Sequence, residues 1–470
     1  MNILKKYILF IAGIFLFLIS FLSKNLSFLK FISFIFLIIN LYKDKKINLD
    51  KIIITVISII SFIINKNDSI IFLILYIISI ILIEKLDLKN DISINQKKIF
   101  NKSKIYTICV SILSIFIFIL YLVLSNKIYT SISKFVLFLI ISNLNLFRIS
   151  IKYLYNKVNR YCTFNKVKIK SNSVLENLYK CKNVCIEKSN IITTGNYEIT
   201  KIIPYYKKEE EILFFVAHAE YKSDHGIAKC IKDKYKGKID ENIITKFNEY
   251  KNLGIIAKIN DDEVIVGNEK LFSKKNIQYP KVEFLDTAIL VALNNNYIGT
   301  IVLKDEIKFE SFNINNLFNE VNIDNIIIIS SDEKKVVKKM AQNLNINKFY
   351  YNLSQNDKLN IISKLGCDTL FISDTIENKK NISFVLASTN KNSDLVLSSY
   401  DISNITKTIK ASFDLNKKIK RYTIITIISK IIFGILTILN LINIFIMLFI
   451  EMILTLFILF NIKMCFKEVK

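Results

Sequence analysis

The stretch that decides the fold of the middle of the chain is Val184-Cys-Ile-Glu-Lys-Ser-Asn-Ile-Ile-Thr-Thr-Gly195. It begins with a short, continuous apolar run, which is typical of a strand buried on both faces of a parallel sheet. The run ends on a charged pair, Glu187 and Lys188. In α/β folds, reactive side chains collect where parallel strands end. The stretch therefore predicts a buried strand whose last residues belong to a functional site.

The residues around this stretch, from about 152 to 417, repeat the same alternation. Continuous apolar runs at 326–330 and 369–373 predict two more buried parallel strands. Residues 334–344 and 357–365 have the spacing of intervening helices. The segment is thus predicted to be an α/β domain with its reactive residues at strand ends.

A different pattern occupies residues 200–303 and predicts a separate α+β unit. Helices are expected near residues 209–219 and 225–234, followed by paired strands. Those strands are expected near residues 255–259, 262–267, 287–294 and 297–303.

The rest of the chain is strongly apolar. The 470 residues are 52% hydrophobic with a mean hydropathy of +0.37, which is too high for an ordinary soluble protein. Apolar runs separated by short polar connections predict eight transmembrane helices. They cover residues 7–23, 26–42, 52–64, 69–83, 105–124, 132–151, 422–439 and 441–462.

The distribution of lysine predicts the orientation of these helices. The net charge is +25, and many lysines lie in loops next to the apolar runs, as in cytoplasmic loops beside anionic lipid. Both termini and the middle segment are therefore expected in the cytoplasm of an integral membrane protein, with the bacterial plasma membrane as its predicted location. The lipid bilayer, and not a nucleic acid, is the partner that explains this charge. The first apolar run lacks a small-residue cleavage site and is expected to be an anchor.

Residues 184–195 resemble the phosphorylation stretch of the heavy-metal P-type ATPases, a strand followed by Asp-Lys-Thr-Gly-Thr-Leu-Thr. In that family the aspartate takes phosphate from ATP. Glu187 stands at its position and Lys188 follows it, whereas Ser-Asn-Ile replaces Thr-Gly-Thr. The resemblance is specific over residues 130–465 and weaker over 1–104.

The fold that this resemblance implies is a multi-span α-helical membrane protein with a cytoplasmic, haloacid dehalogenase-like α/β phosphorylation domain. An α+β nucleotide-binding domain is inserted into the phosphorylation domain. The domains are expected at 1–151 (six transmembrane helices), 152–199 with 304–417 (phosphorylation), 200–303 (nucleotide) and 418–470 (two transmembrane helices).

Further motifs follow in family order. Residues 329–333, with Ser330 and Asp332, are similar to the Thr-Gly-Asp loop. Asp357-Lys358 resembles the pair whose lysine neutralises the acyl-phosphate. Ser373-Asp-Thr-Ile-Glu-Asn378 resembles the magnesium loop, with Asp374 kept and the final aspartate replaced by Asn378. The resemblance implies ATP and Mg²⁺ as cofactors.

The nucleotide unit carries its own motif. Ser223-Asp-His-Gly-Ile-Ala228 resembles Ser-Glu-His-Pro-Leu-Ala, in which the histidine faces adenine, so His225 is the expected adenine contact. Gly254 and Gly267 resemble the glycine loops of the family, and residues 305–308 resemble the hinge back to the phosphorylation domain.

Charged and polar residues inside the predicted spans indicate a cation path. Lys430 and Glu451 match the lysine and the acidic position of the zinc, cadmium and lead subgroup. Buried charges in a bilayer are costly, so they pair or line a path; a purely structural pair is the alternative. Asn143 and Asn145 stand where the family has the two cysteines of Cys-Pro-Cys, which bind soft cations.

Several departures from the family bear on activity. The nucleophile position holds Glu187, the connection 84–104 has no room for an actuator domain, and Thr-Gly-Glu occurs nowhere in the sequence. Two functions remain open: an ATP-driven exporter of divalent heavy metals, or a non-catalytic protein that binds nucleotide and regulates a membrane partner. A membrane-tethered phosphatase is a third, weaker hypothesis, and it fails on the same glutamate. The chemistry favours a catalytically impaired protein.

Overall fold

The computed structural model describes residues 2–21, 27–42, 49–64, 70, 73–74, 77, 92–125, 127–250, 253–281, 284–323, 325–374 and 385–466. The chain divides into two compact units. The helical unit comprises residues 1–164, 171–176 and 411–470, and the α/β unit comprises residues 165–170 and 177–410.

The helical unit consists of apolar helices. Among the described residues, three stretches are long and apolar enough to cross a membrane: Ile94–Ser125, Ile128–Phe164 and Ile402–Ile438. The helices of this unit are α1 (Asn2–Ile19), α2 (Leu29–Leu41), α3 (Leu49–Ile64), α4 (Ile94–Ser125), α5 (Ile128–Ser142), α6 (Asn145–Phe164), most of α14 (Ile402–Ile438) and α15 (Ile444–Cys465).

Six of the predicted spans coincide with these helices, and two differ. The expected span 69–83 lies mostly outside the described residues. The span expected at 132–151 lies within the apolar stretch Ile128–Phe164, and the chain breaks inside that stretch, between α5 and α6. Asn143 leaves the helical conformation, and its Oδ1 atom accepts a hydrogen bond of 2.9 Å from the backbone N–H of Asn145. Such a local bond competes with the helix ladder and ends the helix.

Within the described part of the α/β unit, the first sheet has seven strands in the order β1-β13-β12-β11-β2-β9-β10, all parallel except β1. Its strands are β1 (Val167–Ile169), β2 (Asn183–Glu187), β9 (Asn325–Ile329), β10 (Lys348–Tyr350), β11 (Thr369–Ile372), β12 (Val385–Ser388) and β13 (Leu395–Leu397). The helices that connect them are α7 (Asn172–Leu178), α11 (Ile314–Asn319), α12 (Lys334–Asn343) and α13 (Gln355–Leu365). The predicted α/β fold is confirmed.

The register of this sheet explains why its site lies at one edge. Strand β2 is flanked by β11 and β9, with Glu187 opposite Ile329 and Ile186 opposite Ile372. The apolar side chains of these strands are buried on both faces. The polar residues that follow each strand are therefore gathered at the carboxyl edge.

The second sheet is antiparallel, with the strand order β3-β8-β7-β6-β5-β4. Its strands are β3 (Thr193–Pro204), β4 (Ile244–Tyr250), β5 (Gly254–Ile259), β6 (Asp262–Gly267), β7 (Thr287–Leu293) and β8 (Asn296–Ile307), with helices α8 (Glu209–Ala219), α9 (Gly226–Lys234) and α10 (Glu269–Lys274). Sequence patterns missed β3 and β4 and ended β8 too early. Because Thr193 pairs with Ile307, β3 and β8 run together up to the first sheet. The domain boundaries expected at 151, 199, 303 and 417 stay predictions.

Candidate functional site

Glu187 ends the central strand β2, and its carboxylate is fully engaged. Lys358 Nζ lies 2.9 Å from Oε1 in a buried ion pair. Oε2 accepts a 2.6 Å hydrogen bond from Ser373 Oγ and a 3.3 Å bond from the backbone N–H of Asp374. The strand-end residues predicted at this edge therefore do meet, with an ammonium and two donors around one carboxylate.

Lys358 reaches the site because the start of α13 is fixed by a capping box. Ser354 Oγ accepts from the backbone N–H of Asp357 at 3.3 Å, and the Asp357 carboxylate accepts from the backbone N–H of Ser354 at 3.0 Å. The side-chain and backbone hydrogen bonds from Ser354 lower the pKa of Asp357. In the predicted Asp-Lys pair, the lysine therefore contacts Glu187 and the aspartate caps the helix.

Lys188 points to a different set of partners. Its Nζ is paired with the carboxylate of Asp332 and lies 3.7 Å from that of Asp305. Burial lowers the pKa of Lys188, but Asp332, Tyr197 and Asp305 more than offset burial, so the pKa lies above its usual value. The hydroxyl of Ser330 accepts from the backbone N–H of Asp332 at 3.1 Å. Lys188 thus joins the loop after β9 to strand β8.

Asp374 lies beside Glu187 and is bound by Asn190, from the motif at 184–195, and by Tyr400, which the sequence did not single out. Its Oδ2 atom accepts from Asn190 Nδ2 at 2.6 Å, and Oδ1 accepts from the Tyr400 hydroxyl at 2.8 Å. Asn190 has a φ of +62°, so asparagine, which tolerates this conformation, replaces the glycine of the family motif. Asn378 lies outside the described residues.

These contacts decide how well the expected Mg²⁺ fits. Magnesium takes oxygen ligands in near-octahedral geometry, commonly one or two carboxylates with substrate phosphates. Glu187 and Asp374 supply two carboxylates, but donors approach both oxygens of each. Among the described residues, no group of three or more His, Cys, Asp or Glu side chains could hold a metal ion. In the part of the chain that the structure describes, donors therefore occupy both carboxylates that would bind magnesium.

The predicted adenine contact, His225, lies exposed at the start of α9. Its Nδ1 atom accepts from the backbone N–H of Ile227 at 3.4 Å and so caps the helix. The imidazole ring lies 6.5 Å from the ring of Tyr197, measured between centroids. Gly226 allows close packing, since a Cβ atom there would lie 2.4 Å from the carbonyl oxygen of Gly195. The ring is held in place and remains accessible.

Gly254 and Gly267 have a demonstrable structural role. They form a cross-strand pair between β5 and β6, and Gly254 has a φ of +142°. A Cβ atom on Gly254 would lie 2.2 Å from the carbonyl oxygen of Val266. Strand β3, on which the His225 loop packs, is three strand positions from β6, or about 14 Å at 4.8 Å per strand. The glycines therefore allow the two strands to approach, and their part in binding nucleotide stays a prediction.

Glu220 is a buried carboxyl group that the sequence analysis missed. It is 6% exposed and lies five residues before His225, at the end of α8. Burial, with the nearby charge of Glu249, raises its pKa to about 7. A glutamate at the end of an amphipathic helix is usually solvated, so only burial in the folded chain distinguishes it.

Replacing Glu220 with glutamine should stabilise the protein only at high pH. The folded-state pKa is raised, so the stability from binding this proton is complete below the unfolded value of 4.5 and is lost as pH rises through about 7. A glutamine side chain needs no proton to be neutral. The free energy of unfolding of Glu220→Gln should therefore exceed that of wild type by about 2–3 kcal/mol at about pH 8.5, and by little at about pH 5. Calorimetric unfolding at both pH values measures this, with exposed Glu320→Gln as the control. An equal difference at both pH values would contradict the assignment.

Three of the predicted path residues line one small cavity in the helical unit: Asn143, Lys430 and Glu451. Lys430 is buried, pairs with the Glu451 carboxylate and lies 3.5 Å from the carbonyl oxygen of Ile140. The backbone of Asn145 takes part in the helix break instead. Sequence analysis missed a second buried ammonium, that of Lys134, which donates to the Thr437 carbonyl.

Comparison with known proteins shows the relationship of the chain. No family model matches it. It is 28% identical over 205 residues to a cadmium, zinc and cobalt-transporting ATPase of Bacillus subtilis, covering 43% of this chain and 29% of that protein. It is 26% identical over 198 residues to a zinc-transporting ATPase of Synechocystis, covering 42% and 28% of the two chains. A Helicobacter felis cadmium, zinc and cobalt-transporting ATPase is 26% identical over 274 residues, or 55% and 39%.

The matched part of the chain thus spans less than two fifths of these relatives' length. The structure is similar to that of a zinc-transporting PIB-type ATPase in the E2·Pi state, with a TM-score of 0.64, 13% identity, and 99% and 100% of the two chains covered. At this identity the likeness shows the fold. The chain is thus similar in sequence to heavy-metal-transporting ATPases of the zinc and cadmium type, and it shares the fold of a zinc-transporting PIB-type ATPase.

Proposed function

We propose that the chain binds ATP in its α/β unit and does not turn it over, acting as a non-catalytic nucleotide-binding protein of the membrane. The observation that carries this proposal is the state of Glu187. Its carboxylate accepts from Lys358, Ser373 and the backbone of Asp374. In this chain, the cation and donors that could stabilise a phosphoryl group are bound to the glutamate itself.

The length of the side chain supports the same conclusion. Glutamate extends one methylene further than the aspartate of the family. In-line phosphoryl transfer depends on positioning, and a displacement of about 1 Å can cost about 100-fold in rate. Lys358 and Ser373 hold the Glu187 carboxylate one methylene further from the backbone than an aspartate carboxylate would be. The nucleophilic oxygen is therefore displaced from the position that an aspartate oxygen would occupy. Ser189, Asn190 and Ile191 also replace the hydroxyl and glycine residues of the motif.

ATP is the proposed ligand, because the relatives are ATPases and the His225 loop is intact. Helix α9 holds the exposed imidazole at its first turn. The proposal does not include a resident Mg²⁺, since Asn190 and Tyr400 already donate to the two oxygens of Asp374. In this proposal the other predicted catalytic residues have structural roles, because each is held by a partner within the site. They are Lys188, Ser330, Asp332, Lys358 and Asp374. Regulation of a membrane partner by the nucleotide-bound form is the output proposed for such a protein.

The His225→Asn variant should bind ATP at least about tenfold more weakly than wild type, a difference of about 1.4 kcal/mol. Asparagine is as good an N-cap as any residue, so this change removes the imidazole and keeps the helix start. Calorimetric titration of the purified full-length chain with ATP is the measurement. Asp233→Asn, exposed on the same helix, is the matched control and should bind like wild type. If His225→Asn and wild type bind ATP with equal affinity, or if wild type does not bind ATP, the nucleotide site is wrongly assigned.

ATP-driven export of a divalent cation is the second candidate. The cavity lined by Asn143, Lys430 and Glu451 is the observation that favours it. Its lining is amide, ammonium and carboxylate, so a harder cation would suit it better than one that prefers thiolates. In either case both termini and the α/β unit are proposed to lie in the cytoplasm at a bacterial plasma membrane. Metal-stimulated release of phosphate by the unmodified chain would favour the exporter.

A further inference from the structure

We propose that Asn190, Tyr400 and Lys308 form a latch on Asp374 that takes the place of a divalent cation. This inference deepens the proposed function and rests on it. The latch consists of two neutral donors on the Asp374 carboxylate and an ammonium group next to them. All of its members lie in the α/β unit.

The two donors are held rigidly towards the carboxylate. The Tyr400 oxygen accepts from the backbone N–H of Thr389 at 3.3 Å, and its hydroxyl lies 2.8 Å from Asp374 Oδ1, closer than to the Ser373 carbonyl oxygen at 3.4 Å or to Thr389 Oγ1 at 3.1 Å. The main chain of Asp374 is held as well, since Ser388 Oγ donates to its carbonyl oxygen at 3.2 Å. On the other side, the left-handed backbone of Asn190 places its amide 2.6 Å from Oδ2.

Lys308 supplies a positive charge beside this carboxylate. Its Nζ atom donates to the carbonyl oxygen of Asn190 at 2.5 Å and lies 5.9 Å from the centroid of the Tyr400 ring. The Lys308 ammonium therefore lies beside both donors, Asn190 and Tyr400, and Lys308 directly follows the end of strand β8. The carbonyl oxygen of Asn190, itself a good ligand for a hard cation, is already used by this internal cation.

A divalent cation must compete with these groups for Asp374, because each carboxylate oxygen already accepts one hydrogen bond. Magnesium and manganese require oxygen ligands at fixed short distances, and a hydrogen-bond donor and a metal cannot share the same lone pair. Charge-assisted hydrogen bonds to a carboxylate are among the stronger ones in proteins. Because both Asp374 oxygens are engaged and an ammonium stands next to them, affinity for a divalent cation should be low.

The test is a titration of the purified full-length chain with Mn²⁺ alone, in which electron paramagnetic resonance measures the free ion. Wild type should bind no Mn²⁺ at Asp374, so the Asp374→Asn variant and wild type should bind Mn²⁺ equally. The double variant Asn190→Gly with Tyr400→Phe should gain one site, with affinity raised at least about tenfold, a change of about 1.4 kcal/mol. Glycine tolerates the φ of +62° at position 190, and phenylalanine keeps the ring, so the changes remove the donors and preserve the backbone and packing.

Matched controls separate this gain from general effects. Asn276→Gly replaces another left-handed asparagine, with a φ of +56°, and Tyr206→Phe replaces an exposed tyrosine outside the latch. Neither should change Mn²⁺ binding, and Asp374→Asn in the double variant should abolish the new site. A wild-type site lost with Asp374→Asn would overturn the latch, as would a double variant that gains none. ATP titration of wild type with Mg²⁺ and with chelator separates the two proposals: no binding in either would contradict the proposed function, and binding only with Mg²⁺ would contradict the latch.

Discussion

Glu187→Asp is expected to give a chain that accepts phosphate from labelled ATP, whereas wild type does not. Lys358, Ser373 and the N–H of Asp374 already surround this position, and the shorter side chain would leave them free to stabilise the charge on the phosphoryl group. With Mg²⁺ in large excess, to compete with the donors on Asp374, labelling should exceed that of wild type by about 100-fold. The measurement is acid-stable, hydroxylamine-sensitive incorporation of the γ-phosphate.

Two further variants define what such labelling means. Lys358→Met in the Glu187→Asp background should remove the label, because the only ammonium within reach of the carboxylate among the described residues is lost. The labelled protein should accumulate without steady turnover, since the sequence contains no Thr-Gly-Glu to direct water. Zinc-stimulated phosphate release by wild type, abolished by Glu187→Gln, would disprove the non-catalytic function and establish glutamate as a nucleophile.

Lys430→Met is expected to cost about 3–5 kcal/mol of unfolding free energy, because it leaves the Glu451 carboxylate without its cation inside the helical unit. The lysine side chain is 5% exposed and that of Glu451 is 18% exposed. An unpaired charge in a bilayer or a packed helix bundle is expensive. The measurement is chemical unfolding of the purified protein in detergent micelles.

The double variant Lys430→Met with Glu451→Leu provides the control. Removing both charges leaves no buried ion, so the double variant should be nearly as stable as wild type. Glu451→Gln alone should be destabilised, as Lys430→Met is. If each single variant loses no more stability than the double variant, Lys430 and Glu451 do not stabilise each other. That outcome would contradict the predicted ion pair.

The core of the site follows from strand logic and could be predicted. Each residue that comes just after β2, β9 or β11 lies at one edge, because parallel strands of a sheet end together. The order of the apolar runs was therefore enough to place Glu187, Asp332 and Asp374 in one region. Lys358 followed from the family order of motifs, and its ion pair with Glu187 agrees with that order.

Other features required the folded chain, since they depend on contacts between distant segments. Tyr400 lies 26 residues from Asp374 in sequence, and no periodicity connects the two. Burial of Glu220 depends on how α8 meets the sheet, and local polarity suggests the opposite. The break at Asn143 depends on a single side chain that accepts from Asn145. Hydropathy averages over such a residue and predicts one continuous helix.

By itself, the sequence determined that this is a membrane protein with a parallel α/β unit, because apolar runs and strand periodicity reflect local burial requirements. It also determined that Glu187 replaces an aspartate. Only the tertiary structure decided what that replacement means. Partners from β11, α13 and the loop before α14 surround Glu187 and Asp374 with donors. Hydrogen bonds extend only about 3 Å, so which donors reach a carboxylate depends on how distant segments pack.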